Sequence, residues 1–164
     1  MNLLFKLGMM AAMLLAAIAG NSQSKSYKIY ESYGNEDGFS YFTFSKSMID
    51  AIDLNLDDEN KRVTGDLREI RVMVYNPAKG KLKSNFADEM SLRLKGMNYQ
   101  KTEPKDAGDD GEFWIEGNRK KVKECHVVIR NNEKNSFGCL VSFYGDFTVD
   151  ELSKFEKFSK KQLE

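Results

Sequence analysis

Three segments in the last third of the chain have the composition of short β-strands and are separated only by brief connections. Their sequences are EFWIEGN, VKECHVVIRN and SFGCLVSFYGDF, within residues 112–147. β-Branched and aromatic residues favour strands, and strands joined by tight turns pair with their neighbours along the chain. This run predicts an antiparallel meander, which constrains the fold more than any other feature of the sequence.

Alternating strand-like and helix-like segments precede the meander. FSYFTF and REIRVMVYN have strand composition and period, and SKSMIDAIDL between them has helical spacing. An amphipathic helix follows, with apolar residues at every fourth position: Leu82, Phe86, Met90 and Leu94. A capping box at Thr148 starts a closing helix. The predicted fold is α+β, a two-layer sandwich with a mainly antiparallel sheet and helices packed on one face.

The first 19 residues have the three parts of a secretory signal peptide. Lys6 precedes an apolar run over residues 7–19, and Ala17 and Ala19 form the small-residue pattern of a cleavage site. The run is shorter than the about 20 residues that a transmembrane helix needs. We expect a signal peptide at residues 1–19 and a single domain at residues 20–164, with an uncleaved membrane anchor as the alternative.

The expected mature protein is soluble and exported, either periplasmic or extracellular, with no membrane span after cleavage. It is not expected to be a lipoprotein, because its two cysteines, Cys125 and Cys139, lie far from the cleavage site. With 25 basic and 25 acidic residues, the chain offers no large field of one sign to hold a nucleic acid. The expected partner is an envelope protein or a small ligand, and the oligomeric state stays open.

The order of these segments resembles one known family. The carrying features are the acidic turn from Tyr33 to Gly38, the aromatic strand leading into SKSM, the strand EIRVMVY and the terminal FYGDFTVDELSKF. They resemble the domain-of-unknown-function family DUF4252, small exported proteins of Bacteroides-like bacteria. The resemblance spans roughly residues 29–160 and implies an exported location and a fold type. It carries over no catalytic residue.

The only histidine and both cysteines lie in the meander, but their spacing does not favour a metal or redox site. Cys125 and His126 are neighbours on a strand, so their side chains point to opposite faces. The C-x-x-C and H-x-H spacings of structural zinc are absent from the sequence. We therefore expect no metal, no cofactor and no nucleophilic catalysis through these residues.

The two cysteines are expected on the inner face of a hairpin that turns at NNEKN. Matching the apolar faces of the two strands leaves two registers open. One sets Cys125 directly opposite Cys139, and the other sets Cys125 opposite Val141. The first permits a cross-strand disulfide, whereas the second favours two buried thiols.

Trp114 is the candidate binding residue. If its neighbours Phe113 and Ile115 belong to the core, Trp114 faces outward, where a lone aromatic side chain marks a contact surface. We expect a non-catalytic envelope protein that binds a partner or ligand. The alternative is a hydrolytic enzyme with a carboxylate-based site, and a third reading is a structural oligomer formed through an uncovered sheet face or edge strand.

Overall fold

A computed structural model of the chain describes residues 23–52, 66–103, 111–118, 120–129 and 137–147. The helices in these residues are α1 (Tyr27–Tyr33), α2 (Lys46–Ile52) and α3 (Phe86–Gly96). The strands are β1 (Phe39–Ser45), β2 (Glu69–Tyr75), β3 (Gln100–Thr102), β4 (Gly111–Asn118), β5 (Lys121–Ile129) and β6 (Gly138–Phe147). The predicted signal peptide and the helix predicted from Thr148 lie outside the described residues.

The six strands form one sheet in the order β1-β2-β6-β5-β4-β3, and every neighbouring pair is antiparallel. Strands β3 to β6 are consecutive neighbours, so the predicted meander is confirmed. β2 pairs with the outer side of β6, and β1 then forms one edge of the sheet. The α+β prediction, with a mainly antiparallel sheet, is confirmed. Within the described residues, no helix has the length and apolar content that a membrane crossing requires.

Strands β2, β4, β5 and β6 divide their side chains between two buried clusters, one on each face of the sheet. On β2, Ile70 belongs to the first cluster, whereas Met73 and Tyr75 belong to the second. The second cluster also contains the buried residues of α1 and α3, so these two helices pack on that face. We call it the helix face, and the opposite one the apolar face. Ile49 of α2 belongs to the cluster on the apolar face.

Helix α3 has sequence signals at both of its ends. The side chain of Asn85 accepts a hydrogen bond from the backbone N–H of Ala87 at 2.9 Å and caps the first turn. Acidic residues occupy the first turn and basic residues the last, so both sets of charges interact favourably with the helix dipole. The helix approaches β6 closely, because a Cβ atom at Gly138 would overlap the ring of Phe86.

The pairing of β5 with β6 overturns both predicted cysteine registers. Cys125 lies opposite Phe143, and Cys139 lies opposite Ile129. Both cysteines face the apolar side, as predicted, but they are four positions apart along the strands, or about 13 Å. The thiols are free and buried. The register differs because β6 is held on both sides: Phe143 is also paired with Ile70 of β2, which lies far away in sequence.

Candidate functional site

The centre of the helix face is polar. His126 on β5 and Ser142 on β6 are paired in the sheet, and both are fully buried. Glu124 and Tyr144 form the next buried pair two residues along the same strands. The two-residue period of a strand places all four side chains on the face that carries α1 and α3.

A chain of hydrogen bonds runs from α1 into this polar centre. The Tyr30 hydroxyl donates to Ser142 Oγ at 2.6 Å, and Ser142 Oγ lies 2.8 Å from His126 Nδ1. Because Ser142 accepts from Tyr30, its own hydroxyl hydrogen is free to be donated to Nδ1. The proton of the neutral imidazole then resides on Nε2, which faces Glu124 Oε2 at 3.6 Å. This distance exceeds a hydrogen bond, and Nε2 has no other partner among the described residues.

Glu124 is the carboxylate on which the network converges. Its Oε2 accepts hydrogen bonds from Ser24 at 2.6 Å, from Tyr99 at 2.7 Å and from Ser26 at 3.4 Å. Burial would raise the pKa of Glu124, but the adjacent imidazole of His126 and these hydroxyl donors outweigh burial and lower the pKa. Glu124 is therefore ionised at neutral pH, although the residue is only 8% exposed.

His126 is a neutral imidazole inside this network. Burial lowers the pKa of His126, and the nearby Glu124 carboxylate compensates only in part. The rings of Tyr99 and Tyr144 lie edge-on to the imidazole, with centroids at 4.5 Å and 6.0 Å. A neutral imidazole thus lies beside an ionised carboxylate, in surroundings that are largely aromatic.

The order Ser142, His126, Glu124 resembles a nucleophile, a base and an orienting carboxylate. A nucleophile must reach its substrate, however, and Ser142 and His126 are both 0% exposed. The network instead attaches the residues before α1 to the sheet, because Ser26 Oγ lies 2.8 Å from the Tyr144 hydroxyl. The geometry therefore supports a structural role for the network, which docks α1 and the residues before it.

An open cleft of about 890 Å³ lies beside this network. Its wall includes Glu69, Glu116 and Glu124, and its size suits a small ligand. Each of the three carboxylates already has a partner within the chain. Glu69 pairs with Arg71, Glu116 pairs with Lys25 at 3.0 Å, and Glu124 binds the hydroxyl groups described above.

Strand β1 is the second candidate site. It forms an edge of the sheet, and four consecutive residues in its middle are exposed. Tyr41 is 48% exposed and Phe42 is 57% exposed, on opposite faces of the strand. The sequence FSYFTFS contains no charged residue and no proline. Sheet edges are normally protected by such residues, so an unprotected aromatic edge points to strand pairing.

The comparisons with known proteins place the chain in a family. The family model described as "Domain of unknown function (DUF4252)" matches residues 30–155. The chain belongs to this family. The DUF4252 match spans all six strands and confirms the resemblance inferred from the sequence. No curated protein and no solved structure is significantly similar to the chain.

The structure places Trp114 differently from the sequence analysis. Phe113 and Ile115 do belong to the cluster on the apolar face, and Trp114 lies on the other face, opposite His126. That face is covered by α3, so Trp114 is only 7% exposed and belongs to the core. The expectation of an outward-facing tryptophan was wrong because both faces of β4 are buried. Its indole Nε1 has no hydrogen-bond partner in the described part of the chain.

The network around Glu124 was not predicted from the sequence. A signal was present, because Glu124 and His126 alternate with apolar residues on one strand, and Ser142 and Tyr144 do so on the next. Two polar stripes of equal period predict one shared face once the strands are paired. Over the residues that the structure covers, no group of three His, Cys, Asp or Glu side chains is arranged to hold a metal ion.

Proposed function

We propose that the protein is an exported, non-catalytic interaction domain that binds another polypeptide of the cell envelope along strand β1. One observation carries the proposal: β1 is an exposed sheet edge with aromatic side chains and no charge. A strand added to such an edge gains backbone hydrogen bonds, and the exposed side chains on both faces supply apolar contacts. Tyr41 and Phe42 are the side chains that would touch the added strand.

Export is supported by the N-terminal pattern of a charge, an apolar run and a small-residue box. Expression in a host with a cell envelope, followed by mass spectrometry of the purified chain, tests it. We expect a mature N-terminus at residue 20 and recovery outside the cytoplasm. Recovery in the cytoplasm of chains that still begin at Met1 would contradict export, whereas such chains in the membrane fraction would indicate the uncleaved anchor.

The interaction surface is tested by capture of cross-linked partners from an envelope fraction. We expect Phe42→Lys to abolish the capture of partners that the unmodified protein retains, because the lysine puts an unpaired charge into the strand interface. Phe137→Lys is the matched control, since Phe137 is equally exposed, at 58%, but lies outside β1. Unchanged capture by Phe42→Lys, with native circular dichroism, would remove β1 as the interaction surface.

The cleft beside Glu124 is the basis for the alternative function, a hydrolase with a carboxylate-based site. Such enzymes commonly hold one carboxyl group protonated as a general acid. The pKa of Glu124 is shifted the opposite way. Burial would raise it, but the adjacent His126 and the hydroxyl donors Ser24 and Tyr99 stabilise the ionised form and outweigh burial. The cleft therefore supports binding of a polar ligand better than acid catalysis. A hydrolytic activity abolished by Glu124→Gln in a folded protein would reverse this order.

A further inference from the structure

We infer that the polypeptide that pairs with β1 is a second copy of this chain, in a two-fold symmetric dimer joined by antiparallel β1 strands. This inference rests on the proposed function, because it uses the same edge. The two copies would form one continuous sheet across the interface. A two-fold axis requires a self-complementary surface, so β1 must be complementary to a second copy of itself.

The backbone of β1 presents alternate residues outward. The N–H of Asn76 donates to the carbonyl of Gly38 at 2.8 Å, which identifies Gly38 and Asn76 as a hydrogen-bonded pair. In an antiparallel ladder such pairs recur every second residue, and the β1–β2 register is regular over its whole length. Ser40, Phe42 and Phe44 therefore bond to β2. The N–H and C=O groups of the alternate residues, Tyr41 and Thr43 among them, point away from the sheet.

One register of two β1 strands uses the entire edge. Full overlap of residues 39–45 with themselves requires a two-fold axis at Phe42. In that register Tyr41 of each copy lies opposite Thr43 of the other, and both carry outward-pointing backbone groups. The full-overlap register therefore also satisfies the hydrogen-bond alternation. Phe42 faces Phe42 of the second copy in a non-hydrogen-bonded pair, where opposed side chains come closest.

Charge supports an antiparallel self-pairing. Glu36 and Asp37 precede β1, whereas Lys46 follows it at its other end. The antiparallel register brings Lys46 of one copy beside Asp37 of the other, and a parallel one would bring like charges together. Lys46 is available for this contact, because its side chain is 55% exposed and its ion pairs within the chain are long, at 3.5 Å and 3.8 Å.

Two further features favour a copy of the chain over a different protein. β1 has no charged residue with which to select a differently charged strand, and the chain has zero formal net charge, so two copies do not repel each other. The other edge, β3, has only three residues and exposes Lys101. A short strand with a lysine is a protected edge, so the dimer leaves no second open edge of comparable length in the described sheet.

The first test is the molar mass of the purified mature protein by light scattering and sedimentation. We expect a dimer at micromolar concentration and a rise of at least about tenfold in the dissociation constant of Thr43→Pro. The proline removes an outward N–H and leaves the β1–β2 ladder intact. Phe137→Lys should remain dimeric. A monomeric unmodified protein, or a dimer that is unaffected by Thr43→Pro, would overturn the inference.

The second test fixes the register by oxidative cross-linking. Cα atoms of a non-hydrogen-bonded pair lie about 4.5 Å apart, a distance that a disulfide can span. We expect Phe42→Cys to form a disulfide-linked dimer. Ser40→Cys, exposed on the same strand, should remain uncross-linked because residue 40 lies opposite Phe44 of the second copy. Equal cross-linking of both variants would contradict the register. The native Cys125 and Cys139 are buried and do not interfere.

These outcomes separate the inference from the proposed function. A monomeric unmodified protein that loses its envelope partners through Phe42→Lys would refute the dimer and leave β1 as the interaction surface. A dimer broken by Thr43→Pro, with full capture of envelope partners by the resulting monomer, would confirm the dimer. It would also move the partner site away from β1.

Discussion

The two faces of the sheet are made by the same strands but are stabilised by different interactions. On the apolar face, Cys125, Val127 and Phe143 belong to one cluster of buried apolar side chains. His126 and Ser142 alternate with these residues along β5 and β6, so their side chains lie on the helix face. There they belong to a buried hydrogen-bonded network. Apolar burial is non-directional and independent of pH, whereas a buried network depends on geometry and on protonation.

This difference assigns a separate task to each face. The apolar face supplies stability by removing apolar surface from water. The network specifies where α1 docks, because Tyr30 and Ser26 must reach defined acceptors and donors on the sheet. We expect substitutions on the two faces to differ in size, in coupling and in pH dependence.

The largest effect is expected from removal of a large apolar side chain. The side chain of Phe143 is 0% exposed. Phe143→Ala should therefore lower the free energy of unfolding by about 3–5 kcal/mol. Urea denaturation measures the loss, which should be the same at pH 8 and pH 6 since no titrating group is involved. Phe137→Ala, at an exposed position, should change stability by less than about 0.5 kcal/mol. A small loss for Phe143→Ala would show that the apolar face is not the main source of stability.

A smaller effect is expected from the network. Glu124→Ala removes the acceptor of the Ser24 and Tyr99 hydroxyl groups and should cost about 1–3 kcal/mol. Glu31→Ala on the exposed side of α1 is the control and should be nearly neutral. The effects of Glu124→Ala and Tyr99→Phe should not be additive, because both remove the same hydrogen bond. Additive losses would mean that the two side chains are energetically independent.

Acid should destabilise the folded protein through the titrating groups on the helix face. The pKa of His126 is lowered by burial, so the unfolded chain binds a proton near pH 6.5 while the folded chain does not. Stability is therefore complete above pH 6.5 and falls below it, by up to about 1.4 kcal/mol per pH unit. The pKa of Glu124 is also lowered despite its burial, by the imidazole and the hydroxyl donors, so its contribution is lost below about pH 4.5.

His126→Gln isolates the histidine in this pH dependence. The variant should unfold with a flatter dependence of stability on pH between about 6.5 and 4.5, since glutamine does not titrate. Phe143→Ala should keep the slope of the unmodified protein, because it alters only the other face. An unchanged slope in His126→Gln would assign the acid sensitivity to other groups.

The smallest effect concerns the thiols on the apolar face. Burial raises the pKa of Cys139 to about 12 and raises that of Cys125 further, so neither forms the reactive thiolate at neutral pH. A thiol reagent should label neither residue in the folded protein and both after unfolding without reductant. Failure to label the unfolded chain would reveal a disulfide and contradict the observed register.

Local patterns in the sequence predicted much of this fold. The alternation in REIRVMVYN, the four-residue spacing of α3 and the run of strands in the meander each depend on neighbours along the chain. Each was confirmed, except that α3 begins at Phe86, so Leu82 of the predicted stripe precedes the helix. The face of Trp114 relative to Phe113 and Ile115 was also correct. Its exposure was not, because α3 covers that face, and no pattern within β4 reports on a helix that precedes it.

Pairings between distant segments account for the rest. The hairpin loop alone left two cysteine registers open, and the contact of β6 with β2 selected a third. The network around Glu124 needed Ser24, Tyr99 and His126 to meet from three separate parts of the chain. Periodicity along a strand tells which side chains share a face, since it follows from backbone geometry. Which of them become buried, paired or exposed depends on what packs against that face.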